Sequence, residues 1–295
     1  MSGLAAGAIH WVRRHDAELA VFDSGGSGTP VLLVHSFPQD SRVWNDLGAL
    51  LAPHYRVLAV DMRGFGRSSK PLRGYDTRTR AGDIVAVFDD LGIDRAAVIA
   101  HGWGAWAAFV ACERHPDRFS RLIALNVIHP WTNHRRVVPN LWRQYYTLLF
   151  EVPYLGRFVI RRIPAVVDAY VTRTGRAPMD VHVAVYEDDS DARAAARAAE
   201  QLHFQFVARD IPKLMTNRLR RMPLQVPTLL IGGSHDPVYP PAMLHVPDPL
   251  REFLHVAFVQ GAGHWLHAEQ PAAVHRLAAD FIERAYPYRP GGSRR

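Results

Sequence analysis

Short, uninterrupted apolar runs, each followed by a helix-like segment, constrain this chain more than any other feature. Val31-Leu-Leu-Val34, Arg56-Val-Leu-Ala-Val60, Ala96 to Ala100 and Leu122 to Val127 fall in the first half. Thr228-Leu-Leu-Ile231 and His255-Val-Ala-Phe-Val259 fall near the end. Runs of this length with little polar alternation read as strands covered on both faces. Asp40 to Leu51, Thr77 to Leu91 and Trp103 to Arg114 carry helical patterns between them. Gly92 reads as the C-cap of the second helix, and Pro116 stops the third. Such alternation requires crossover connections and a mostly parallel sheet, an α/β class. Ile9 to Arg14 and Glu18 to Phe22, joined by a turn at His15-Asp16, add two strands in front, for eight in all.

Between about His129 and Val226 the strand signals thin out, and helical, aromatic-rich segments take over. The expected organisation is a sheet domain in two parts, residues 1–128 and 227–288, interrupted after its sixth strand by a helical cap, 129–226. A disordered tail, 289–295, follows. Ligand sites in open parallel sheets lie beyond the carboxyl ends of the strands. A cap placed there closes an apolar pocket suited to a hydrophobic small molecule.

Composition narrows the partners. The net charge is +7, but the basic residues are scattered arginines, with Lys70 and Lys213 the only lysines. No stripe or reading module for nucleic acid appears, so none is expected as a partner. Cys112 is the single cysteine, which rules out an intrachain disulfide and fits a buried helix. No apolar stretch is long enough to span a membrane, so no membrane insertion is expected. The first residues lack the pattern of a signal peptide, and the expected location is cytoplasmic. Among the 16 histidines no zinc-type spacing occurs, and neither a metal nor another cofactor is expected. The acidic run Glu187-Asp-Asp-Ser-Asp191 reads as a helix start, where negative charge favours the macrodipole.

Segments at strand ends carry the chemistry, together with one loop, Asp61 to Ser69, that reads as structural. They are His35-Ser-Phe-Pro38, Asp61-Met-Arg-Gly-Phe-Gly-Arg-Ser-Ser69, His101-Gly-Trp-Gly104, and the pair Gly232-Gly-Ser-His-Asp-Pro237 with Gly261-Ala-Gly-His-Trp-Leu-His267. Gly64 and Gly66 do not make a dinucleotide site, because the third glycine and the acidic ribose partner are missing. Together these segments resemble the α/β-hydrolase fold, in particular its epoxide hydrolases and related dehalogenases. The resemblance spans nearly the whole chain after Ile9.

The resemblance implies roles. The backbone N–H groups of Phe37 and Trp103 would form an oxyanion hole, and the Phe37–Pro38 bond is often cis in that family. Asp236 would be the acid and His264 the base that activates water. The segment around residue 102 would be the nucleophile elbow. Epoxide hydrolases have aspartate in that place, and this chain has Gly102. Glycine has no atom able to form the ester intermediate, so covalent catalysis at that position is excluded. Glycine does suit the φ > 0 backbone of an elbow, which costs other residues about 1–3 kcal/mol. Its missing side chain leaves space for a water. Ser36 stands where the family has glycine.

In the cap, Leu141-Trp-Arg-Gln-Tyr-Tyr146 is similar to the segment bearing one of the family's two epoxide-binding tyrosines. Adjacent helical residues point about 100° apart, so one of Tyr145 and Tyr146 would face the site. His203 takes the second tyrosine's place. Two departures, Gly102 and His203, point to natural divergence rather than a laboratory knock-out. Three kinds of function fit. The first is an enzyme using His264 and Asp236 without a covalent intermediate. The second is a non-catalytic small-molecule binding or receptor protein. The third is an epoxide hydrolase that Gly102→Asp would revive.

Overall fold

The computed structural model describes residues 7–132, 134–144, 147–176, 189–247 and 250–285. The eight expected strands are present: β1 (Ala8–Arg13), β2 (Glu18–Asp23), β3 (Thr29–Val34), β4 (Tyr55–Val60), β5 (Ala96–His101), β6 (Phe119–Leu125), β7 (Thr228–Gly233) and β8 (Leu254–Val259). They form one sheet in the order β1-β2-β4-β3-β5-β6-β7-β8. β1 and β2 are antiparallel to their neighbours, and the remaining ladders are parallel. All six residues of β5 and of β7 are buried, as strands covered on both faces require.

The sheet-domain helices are α1 (Asn45–Leu51), α2 (Thr77–Asp90) and α3 (Gly102–Arg114). A 3-10 turn, Ser41–Trp44, precedes α1, so the continuous helix expected from Asp40 is in fact two pieces. Asp40 caps the turn by accepting from Arg42 N–H, which sets a break there. Gly92 follows α2 with φ +63°, a conformation suited to the expected glycine C-cap. Cys112 lies buried on α3.

Between β6 and β7 the chain forms the helical cap: α4 (His134–Val137), α5 (Leu148–Glu151), α6 (Leu155–Arg162), α7 (Pro164–Thr174), α8 (Asp189–Arg209) and α9 (Ile211–Met215). Two further helices, α10 (Leu266–Glu269) and α11 (Pro271–Glu283), follow β8. The long α8 anchors the cap, with Ala195, Ala196, Ala199 and Leu202 buried in the core that also holds β3, β5 and α3. Fully buried Arg63 makes a two-pronged ion pair with Asp83, at 2.6 and 2.7 Å, beneath the β4 loop. That loop is structural, as expected. A Cβ on Gly66 would run into the Asp61 carboxylate, which holds the loop by accepting Ser41 and Arg67 N–H.

Candidate active site

The carboxyl ends of β3, β5, β7 and β8 deliver the expected residues to one place. Ser36, Gly102, Trp103, His203, Tyr170, Tyr239 and His264 line a single cavity under the cap. Its free volume is about 40 Å3. Tyr145 and Tyr146 lie outside the described residues, as does the tail 289–295.

His264 Nδ1 lies 3.0 Å from Asp236 Oδ2, with both residues buried. A carboxylate only accepts, so Nδ1 carries a proton, and in the neutral ring Nε2 is the acceptor. Asp236 Oδ1 accepts Val238 N–H at 2.7 Å, which fixes the carboxylate. His264 N–H donates to the Thr174 carbonyl of α7, so a cap helix helps place the imidazole. Asn126, just past β6, binds both loops. Its amide donates to the carbonyls of Gly263 and His264 at 2.8 and 2.7 Å, and its oxygen accepts Gly233 N–H at 2.8 Å. Asn126 is not among the residues anticipated from the sequence, although a polar residue ending a buried strand is a readable signal.

Gly102 opens α3 with φ +45°, the left-handed region that glycine enters without cost. The expected water space beside it is taken. A Cβ built on Gly102 would lie 2.5 Å from Ser36 Oγ and 3.1 Å from Ser36 Cβ. Ser36 therefore fills the seat of a side chain at residue 102. Ser36 Oγ also accepts Trp103 N–H at 3.1 Å, so one of the two expected oxyanion donors is already engaged. Phe37 is buried, and its bond to Pro38 is cis as expected.

His203 on α8 reaches the cavity from the cap. Its Nδ1 lies 2.7 Å from the Ala199 carbonyl, which can only accept, so Nδ1 is protonated. Burial lowers its pKa to about 4 and keeps the ring neutral. Nε2 is then an acceptor, where a tyrosine would present a proton. The ring is held edge-on to Phe37 and Trp103, with centroids 4.8 and 4.9 Å away. Tyr170 and Tyr239 were not anticipated. Tyr239 follows Asp236 by three residues, close enough in sequence to have been suspected, whereas nothing local marks Tyr170.

Behind the site, His101 Nε2 donates to the His264 carbonyl at 3.1 Å, and its ring packs 4.5 Å from that of His267. Burial, reinforced by His267 and His264, pushes His101 well below the ordinary histidine range. His267 is a buried residue of α10, next to its first residue. His235 is an exposed loop residue. Among the described residues no group of three or more His, Cys, Asp or Glu could hold a metal ion, and no helix is long and apolar enough to cross a membrane.

A family model described as the alpha/beta hydrolase fold matches residues 29–271. The chain belongs to that family. It is 28% identical to epoxide hydrolase A of Mycobacterium tuberculosis, covering 92% of this chain and 96% of that protein. It is 25% identical to epoxide hydrolase 3 of Xenopus tropicalis, over 89% of this chain and 74% of that one. The solved haloalkane dehalogenase DbeA of Bradyrhizobium elkani superposes with a TM-score of 0.74 at 23% identity, covering 93% and 97% of the two chains. At that identity the match speaks for the fold.

Proposed function

We propose that this α/β-hydrolase is an enzyme for a hydrophobic small molecule that works through general-base chemistry, with no covalent intermediate at residue 102. The observation that carries this reading is the buried Asp236–His264 pair at 3.0 Å, whose free imidazole nitrogen belongs to a residue lining the cavity. His264 Nε2 takes a proton from water or from the substrate. Asp236 holds the tautomer and stabilises the imidazolium that forms. Phe37 N–H and the Ser36 hydroxyl, itself polarised by Trp103 N–H, donate to developing negative charge. His203, an acceptor in this tautomer, suits a substrate carrying a hydroxyl or other donor rather than a bare epoxide oxygen.

Epoxides, which the relatives' names make the first substrates to try, and hydroxylated aryl epoxides form the test panel. Wild type is expected to turn over at least one of them, with His264→Ala lowering the rate by about 10²–10⁴-fold. No enzyme-bound adduct should appear by mass spectrometry during a single turnover. A second reading is favoured by Ser36 occupying Trp103 N–H: a binding protein that keeps the pocket without turnover. Saturable ligand binding with no product, indifferent to His264→Ala, would decide for it and against catalysis.

A further inference from the structure

The cap helix α6 buries one apolar stripe and also exposes apolar side chains among its arginines. Gly156, Val159 and Ile160 are buried, and the helix packs against α8 and α5. Leu155 and Phe158, spaced to share a face, are 42% and 55% exposed. Flanking positions continue the exposed apolar surface, with Tyr154 at 76%, Val152 at 47% and Ile163 at 42%. Large apolar side chains grouped on an exposed helix face mark a surface that contacts something other than water. Here the outer side faces water.

The same surface is cationic. Arg157, Arg161, Arg162, Arg193 and Arg197 line a groove with Tyr154 and Phe158 between α6 and α8. Glu200 is buried and paired with Arg157, so it neutralises that guanidinium but not the other four. The Arg157 guanidinium lies 4.7 Å from the centroid of the Tyr154 ring, which keeps that exposed aromatic beside positive charge. Exposed Phe, Leu and Tyr among arginines, on an amphipathic helix, is the chemistry of a segment that lies in a membrane interface. A second copy of this chain would set the remaining four arginines against four, which argues against a symmetric contact through this face.

A route to the site opens through the cap. An apolar vestibule lined by Trp142, Leu149, Val166, Tyr170 and Val238 shares Tyr170 and Val238 with the site cavity. Leu149 belongs to α5, which packs on α6, and Trp142 is 63% exposed. We propose that the outer face of the cap around α6 docks on an anionic lipid bilayer. Phe158 and Leu155 enter the headgroup–acyl boundary, and the arginines contact lipid phosphates. An apolar ligand dissolved in the bilayer would then have a short path to the vestibule. The docking does not depend on whether His264 catalyses anything.

The test is co-sedimentation of the full chain with vesicles of phosphatidylcholine, with and without phosphatidylglycerol. Wild type should pellet with the anionic vesicles and stay in solution with neutral ones. Phe158→Ser should release it while thermal unfolding stays unchanged, because that side chain is exposed. Arg161→Gln and Arg162→Gln should each weaken binding by about fivefold, the equivalent of roughly 1 kcal/mol per arginine at an anionic surface. Wild type remaining in solution with both vesicles overturns the proposal. So does binding that the arginine variants leave unchanged. A dimer on size-exclusion chromatography that Phe158→Ser dissolves, without vesicle binding, reassigns the face to protein association.

Discussion

At the scale of single residues, Ser36 and Gly102 must be considered together. A side chain at residue 102 would collide with the serine, and the serine holds the N–H of Trp103. Each residue therefore accommodates the other. Gly102→Asp alone places a Cβ at φ +45°, at a cost of about 1–3 kcal/mol, and forces Ser36 out of its hydrogen bond. The single variant is expected to melt at lower temperature and to make less diol from epoxides than wild type. Ser36→Gly with Gly102→Asp clears the seat, and it should recover thermal stability relative to the single variant and gain measurable diol formation. Equal diol formation by single and double variants would show that Ser36 does not obstruct the seat. The sequence displayed both departures side by side, but nothing in it placed a residue-36 hydroxyl within 3 Å of a Cβ at residue 102. That relation belongs to the turn geometry, which a one-dimensional pattern does not encode.

At the scale of elements, the site depends on loops held at the ends of strands. Asn126 binds the β7 end through Gly233 and the histidine loop through Gly263 and His264, and it does so at φ +40°. Asn126→Ala strands those buried partners and puts alanine in a left-handed conformation. The expected loss is on the order of 3 kcal/mol, measured by urea unfolding. If the chain turns over a substrate, kcat should fall more than KM rises, because the imidazole is misplaced while the pocket walls persist. An unchanged kcat would reduce Asn126 to a purely structural tie. The strands supporting these loops were readable because β3, β4, β5 and β7 are buried on both faces and spell continuous apolar runs. The cap was readable only as a helical insertion. Its helices α4, α5 and α6 run only 4, 4 and 8 residues, too short for a repeating apolar face to stand out in the sequence.

At the scale of the whole molecule, buried neutral histidines make folding sensitive to mild acid. His129, His203 and His267 are all fully or almost fully buried, and burial is the largest cause of their lowered pKa values, about 4, 4 and 3. The unfolded chain protonates them near the ordinary value of 6.5. Between pH 6.5 and about 4 the unfolded state therefore binds more protons than the folded one, and stability rises with pH. It is complete above about pH 6.5 and drains as the pH falls toward 4. At about 1.4 kcal/mol per pH unit of separation, His129 and His203 each account for roughly 3 kcal/mol across that window. Comparable total stabilities are only about 5–15 kcal/mol, so unfolding is expected well before pH 4. The carboxylates do not produce this effect. Asp16, Asp23 and Asp76 have pKa values lowered below 3.8, so they contribute fully above that value and lose their contribution only as pH falls through their folded pKa values. Urea midpoints measured from pH 7.5 to 4.5 should fall steeply. His203→Phe, which keeps an aromatic ring against Phe37 and Trp103, should flatten the slope by one histidine's share. A midpoint independent of pH, or a slope unaltered by His203→Phe, would mean that His203 is protonated in the fold, and its Nε2 would then be a donor to ligands rather than an acceptor.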